Sequence, residues 1–153
     1  MEPWIELQLL GKIVVSALLG GLVGLEREFA EKPAGLRTHM LVAGTATFLV
    51  ILARTMVLSF EAQHVLNTDP VRVMEAIIVG ISFLGAGTIL KNSRQGEESV
   101  EGLTTSASIL TVAAIGIAVA LDAFILAIGA TVLNLIINWV LAYLMHRISP
   151  AKK

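Results

Sequence analysis

The sequence predicts an all-α polytopic membrane protein, a bundle of about five transmembrane helices. Three observations predict it. The 153 residues are 56% apolar and 15% charged, against about 45–50% and about 25% in soluble domains, and the mean hydropathy is +0.82. The apolar residues fall in blocks: stretches 13–25, 38–53, 76–90, 102–121 and 123–145 contain no Asp, Glu, Lys or Arg. No segment alternates apolar and polar residues over a useful length, as a barrel wall requires.

A transmembrane helix needs roughly 20 residues, and extending each block to its nearest turn signal gives spans of about 7–26, 37–58, 72–91, 103–121 and 123–146. Together they make a single transmembrane domain over 1–153. The first span holds Lys12 about one turn from its start, where the long stem allows the amine to snorkel to the interface. It is not read as a cleaved signal peptide, because Glu2 and Glu6 replace a basic leader and Glu26-Arg27-Glu28 a small-residue cleavage site. Lys32-Pro33-Ala34-Gly35 forms the turn to the second span, which carries Arg54 near its end. Asp69 followed by Pro70 reads as an N-cap and first helical position for the third. Asn92 to Gly102 is a polar, acidic break. Asp122 alone separates the last two spans and is read as the cap of the fifth helix in a tight hairpin. One unbroken element over 103–146 would be about 66 Å long, far beyond a ~30 Å hydrocarbon core.

Lys and Arg predict the orientation. Arg27, Lys32, Arg37, Lys91, Arg94, Arg147, Lys152 and Lys153 fall on one side, and Lys12, Arg54 and Arg72 on the other. Basic residues collect in the cytoplasm, so the N-terminus is expected outside and the C-terminus inside.

Composition also excludes function classes. Eleven basic and twelve acidic residues give no basic field for a phosphate backbone, so no nucleic acid partner is expected. The chain has no cysteine, hence no disulfide, thiol nucleophile or Cys-ligated zinc. Gly85-Ala86-Gly87 is not a dinucleotide fingerprint, since Leu90 holds the third glycine position and no strand–turn–helix unit surrounds it. His39, His64 and His146 lie near span ends and read as interfacial residues rather than ligands. No enzyme is expected.

Helices in lipid associate through close backbone approach and hydrogen bonds. Ser16, Gly20 and Gly24 make a small-residue face on the first span; Ser82 with Ala86, beside Gly85 and Gly87, offers another on the third, and Thr104 with Ser108, beside Thr105, on the fourth. The first, third and fourth helices are therefore expected to pack tightest. Asn134 and Asn138 stand one turn apart and are expected to bond a neighbouring helix or subunit.

The functional candidates are the charges at span ends: Glu26, Arg27, Arg37, Asp69, Arg72 and Glu75. Ionisable groups at membrane depth are costly and point to function, although these lie near the ends. Glu26, Arg27 and Arg37 read either as a structural salt-bridge cluster or as a gate, cation site or partner surface. Arg72 and Glu75 share a helix face at i, i+3. Mg²⁺ takes one or two carboxylates and keeps several waters, but no carboxylate pair here is placed specifically enough to assert a site. No cofactor is expected.

Three ordered motifs resemble the MgtC/SapB family: Gly21-Leu-Val-Gly-Leu-Glu-Arg-Glu28 with Lys32-Pro-Ala-Gly-Leu-Arg-Thr-His39; Asp69-Pro-Val-Arg72 with Gly80-Ile-Ser-Phe-Leu-Gly-Ala-Gly87; and Gly102-Leu-Thr-Thr-Ser-Ala107 with Ala113-Ala-Ile-Gly116. Two departures stand out, Ala76 where many members have Gln and Ser82 where many have Gly. The resemblance implies a multi-pass protein of the bacterial inner membrane with a five-helix domain, in which Glu26, Arg27, Arg37, Asp69, Arg72, Gly85, Gly87, Thr104 and Thr105 are family positions. Some members carry a C-terminal domain resembling ACT domains, which is expected to be absent here. The resemblance links the chain to magnesium homeostasis and adaptation to low magnesium. Two functions follow as expectations: a non-enzymatic modulator that binds another membrane protein or itself through its helices, or a small Mg²⁺ transporter or channel subunit working as a homo-oligomer.

Overall fold

The computed structural model describes residues 2–61, 70–94 and 97–148. Five helices and one β-hairpin follow each other along the chain: α1 (Pro3–Phe29), α2 (Leu36–Glu61), α3 (Pro70–Ala86), β1 (Leu90–Arg94), β2 (Glu97–Glu101), α4 (Leu103–Ala120) and α5 (Phe124–Ile148). The helices form because long apolar runs have no other way to satisfy their backbone in lipid. Among the described residues, α1, α2 (over Leu36–Val57) and α4 are long and apolar enough to cross a membrane. α3 has 17 residues, or about 26 Å of helix.

Two helix-to-helix turns are built alike. α1 ends in a left-handed residue, Glu31 (φ 53°), with the Glu31 and Lys32 N–H groups donating to the carbonyls of Glu28 and Arg27, each at 3.0 Å. α4 ends in Asp122 (φ 64°), with the Asp122 and Ala123 N–H groups donating to Val119 (3.1 Å) and Ala118 (2.9 Å). Both are Schellman turns, which satisfy the last carbonyls of a helix and reverse the chain at once. The tight hairpin expected at Asp122 is present. Asp122 is the left-handed residue closing α4, and its carboxylate is engaged elsewhere, as described below.

Packing sets the directions. Gly24 lies against Leu36 and His39, and Gly20 against His39 and Ala43, so α1 and α2 run antiparallel. His39 meets Ser108 and Thr47 meets Gly116, so α2 and α4 run parallel. Gly85 meets Ser106, so α3 runs antiparallel to α4. The α1–α2 turn, the hairpin and the start of α4 therefore share one end. The start of α3 and the α4–α5 turn share the other.

The tight centre is α1, α2 and α4 rather than the first, third and fourth helices. Val23, Ala43, Ala46, Val112, Ala113 and Val119 are its buried core, joined where Gly116 lies against the Ala43 backbone. α3 is peripheral because its residues Phe83 and Val79 point outward, 80% and 69% exposed. The third span was expected to run to residue 91, but the helix stops at Ala86 and the chain enters the hairpin, with Leu90 opposite Glu101 and Arg94 opposite Glu97. Its strands carry no apolar alternation, so sequence periodicity had nothing to detect. Gly102 closes the hairpin with φ +89°, beside the Thr88 carbonyl, and starts α4 without a side-chain cap. Only glycine enters that conformation without strain.

Candidate functional site

At the α1–α2 turn end the last turn of α1 carries Glu26 and Arg27. Adjacent helical residues do not face each other, yet the Arg27 guanidinium folds back to donate two bonds to the Glu26 carboxylate, Nε to Oε2 at 2.6 Å and NH2 to Oε1 at 2.7 Å. The Arg27 side chain is 5% exposed and that of Glu26 is 20% exposed. A buried guanidinium is tolerated when a carboxylate matches it bidentately. Both Glu26 oxygens are thus engaged internally. Glu28, on the next residue, accepts the Leu36 N–H at 2.9 Å. It satisfies a free donor at the start of α2, the job an N-cap side chain does.

One turn deeper lies a cross-helix bridge. The His39 Nδ1–H donates to the Gly35 carbonyl at 2.8 Å, which leaves Nε2 to accept from the Ser108 hydroxyl at 2.9 Å. Both side chains are buried. His39 is therefore the α2–α4 pin, not an interfacial residue. Two turns further on, the Thr47 hydroxyl contacts the Gly116 carbonyl at 2.8 Å and its own helix's Ala43 carbonyl at 3.1 Å. Both bridges span 69 residues in sequence, which fixes the parallel register of α2 and α4.

The opposite end carries a second charge cluster. Lys12 Nζ pairs with Asp122 Oδ1 at 2.7 Å and donates to the Ala120 carbonyl at 3.5 Å. The Lys12 side chain is 16% exposed, so it does not snorkel past its neighbours; it clamps α1 to the α4–α5 turn. Arg54 approaches the other Asp122 oxygen at 4.0 Å.

The six charges singled out from the sequence do not come together. Glu26 and Arg27 pair; Arg37 is exposed near them, outside that pair. Arg72 and Glu75 are exposed near the start of α3, at the far end of the bundle, and make no ion pair with each other. Asp69 lies outside the described residues. So do the side chains of His64 and His146. Gly20, Gly24 and Gly85 sit at helix contacts, whereas Gly87 lies in the exposed turn after α3. Thr105 is buried at the start of α4 and Thr104 is exposed. The Gly20–Gly24 face is filled by α2 of the same chain, so it is not open to a partner. Asn138 donates to Asn134 at 2.8 Å within α5, so the described bond of this pair is intrahelical rather than to a neighbouring helix. Among the described residues, no three His, Asp or Glu side chains converge.

Sequence reasoning missed His39, Ser108, Thr47, Gly116, Glu28 and the Lys12–Asp122 pair. For His39, Thr47 and Ser108 the available signal was a polar residue inside an otherwise uncharged block, which must find a partner in lipid.

The fold and its paired charges define a helical-bundle membrane protein. The sequence matches the MgtC family over residues 13–147, and the chain belongs to that family. SapB of Bacillus subtilis (strain 168) is 33% identical over 147 residues, which cover 96% of this chain and 62% of SapB. The "Putative magnesium transporter YhiD" of Escherichia coli (strain K12) is 33% identical, over 90% of this chain and 62% of its own length. MgtC of Brucella abortus (strain 2308) is 40% identical, over 84% of this chain and 49% of its own. The chain thus spans 49–62% of the length of these relatives. No solved structure matches it.

Proposed function

We propose that this chain is a non-enzymatic modulator in the bacterial inner membrane, tied to magnesium homeostasis, that works by contacting another membrane protein. The magnesium link rests on family membership and on the name of the Escherichia coli relative. The observation that carries the modulator reading is the closed centre of the bundle. At Gly20 an added Cβ would stand 2.7 Å from the Ala43 Cβ, and at Gly24 2.8 Å from the Leu36 Cα. Helices this close leave no room for a hydrated cation between them. Of the described carboxylates, Glu26 and Asp122 are spent in ion pairs at the two ends. The proposed orientation puts the N-terminus outside and the α1–α2 turn in the cytoplasm, following the excess of Lys and Arg on that side.

The test has two arms. Purified protein in liposomes is expected to give no Mg²⁺ flux above empty liposomes. A host strain lacking the chain is expected to grow poorly at low Mg²⁺ and to recover when the chain is restored. Flux above background overturns the modulator reading in favour of homo-oligomeric transport between copies. Normal growth of the deletion strain removes the magnesium link.

A further inference from the structure

We propose that the cavity between α2 and α3 at the α4–α5 turn end binds one anionic phospholipid, its phosphate on Arg54 and part of one acyl chain on Val50, Ala53, Val73 and Leu121. The cavity measures about 290 Å³, and Arg54 is the charged residue among the described residues that line it. This volume is at the small end for ligand pockets. It takes a stretch of one chain, not a whole lipid.

Depth and charge select the occupant. α4 has 18 residues, about 27 Å of helix, close to the ~30 Å of a hydrocarbon core. Asp122 follows its end, and Lys12 and Arg54 meet Asp122. The three charges therefore mark one edge of the hydrocarbon layer. Val50 and Ala53 extend the wall inward from that edge, Val73 and Leu121 lie beside it, and Val57 lies about one turn beyond Arg54. An occupant must be apolar along Val50 and Ala53 and polar at the level of Arg54. Lys12 already matches the Asp122 charge at 2.7 Å. Arg54, at 4.0 Å and 64% exposed, keeps guanidinium donors free for an anion. A phosphate accepts such a fork bidentately. A chain leaving bilayer for cavity gains little from apolar contact, because lipid tails are as apolar as the walls. Selectivity therefore comes from the headgroup, and net negative lipids are preferred over zwitterionic ones.

The experiment uses the full chain purified in a neutral detergent and titrated with phosphatidylglycerol, phosphatidylcholine or inorganic phosphate. Readouts are thermal unfolding and the number of lipids retained in native mass spectrometry. Phosphatidylglycerol is expected to raise Tm by at least ~3 °C and to leave one lipid bound, with phosphatidylcholine and phosphate doing neither. Arg54→Gln and the cavity-filling Ala53→Phe are expected to lose both effects. Arg72→Gln, which removes an exposed charge at the same end, is expected to keep them. An equal response to phosphatidylcholine, or phosphatidylglycerol binding retained in Arg54→Gln, overturns the headgroup assignment. Binding retained in Ala53→Phe overturns the acyl seat. An equal response to phosphate identifies a free-anion site, and equal losses in Arg72→Gln and Arg54→Gln identify diffuse surface charge; either outcome overturns the proposal. Val57→Trp serves as a second cavity-filling variant if Ala53→Phe does not fold.

Discussion

Adding one methyl group at Gly24 should loosen the whole bundle. An alanine Cβ there would stand 2.8 Å from the His39 Cβ, 2.8 Å from the Leu36 Cα and 2.9 Å from the Gly35 carbonyl oxygen. Ordinary van der Waals contact between carbons begins near ~3.5 Å, so α1 and α2 must separate by several tenths of an ångström. Two of the three obstacles are backbone atoms that cannot rotate aside. The separation also pulls on His39, whose ring joins α2 to Ser108 of α4. Overpacking of this kind costs about 1–3 kcal/mol, and the gain in helix propensity from Gly to Ala returns about 1 kcal/mol at most. Gly44 is the internal control. It faces α1 across the same interface, but its added Cβ would meet only Ala17 and Ile13, at 3.7 Å or more. Gly44→Ala should be neutral or stabilising by up to ~1 kcal/mol. Unfolding of both variants in mild detergent, followed by circular dichroism against added SDS, measures the two effects together. If Gly24→Ala is as stable as the parent, or Gly44→Ala is the worse of the pair, the close-approach argument fails.

Ser108→Ala removes the donor to His39 Nε2 and should cost about 1–2 kcal/mol, because the ring nitrogen is left buried without a partner; the same SDS titration checks it, and a change below ~0.3 kcal/mol would exclude the bridge. Lys12→Met should release the α4–α5 turn from α1. The pair is half-exposed on the Asp122 side, so a double-mutant cycle with Asp122→Asn should give a coupling of about 1 kcal/mol or less, and a coupling of zero would mean that the contact is incidental. Glu28→Ala removes the acceptor of the Leu36 N–H and should cost about 1 kcal/mol, read as faster hydrogen exchange confined to the first turn of α2. A phosphatase fused after Lys153 should be inactive and a fluorescent protein there bright; the opposite pair of results reverses the proposed orientation.

Much of the helical layout was legible along the chain. Charge-free blocks identified five helices, Pro70 marked the start of α3, and Asp122 marked the hairpin. Span ends were less legible. α1 runs from Pro3 to Phe29, beyond the apolar block, because a helix continues through Glu26 and Arg27 once those side chains pair with each other. The hairpin after α3 was illegible, since polar strands lack the two-residue alternation that marks a half-buried sheet. Of the charged candidates, Glu26, Arg27, Arg37, Arg72 and Glu75 lie in the end turns of their helices, and their grouping depends on which ends meet.

The family, the membrane setting and the helix count follow from the sequence by itself, because burial in lipid constrains every residue of a span and leaves its mark on composition. The identity of each small residue's neighbour does not. Gly20 and Gly24 resemble an open docking face in one dimension, and only the tertiary structure places α2 against them. Likewise His39 and Ser108, or Lys12 and Asp122, are isolated polar residues until antiparallel α1–α2 and parallel α2–α4 packing brings each pair within hydrogen-bonding distance. Helix directions and register are collective properties of the packed bundle, set by where backbones can approach most closely. For that reason the charged residues had to wait for the fold before they divided into two separate ends.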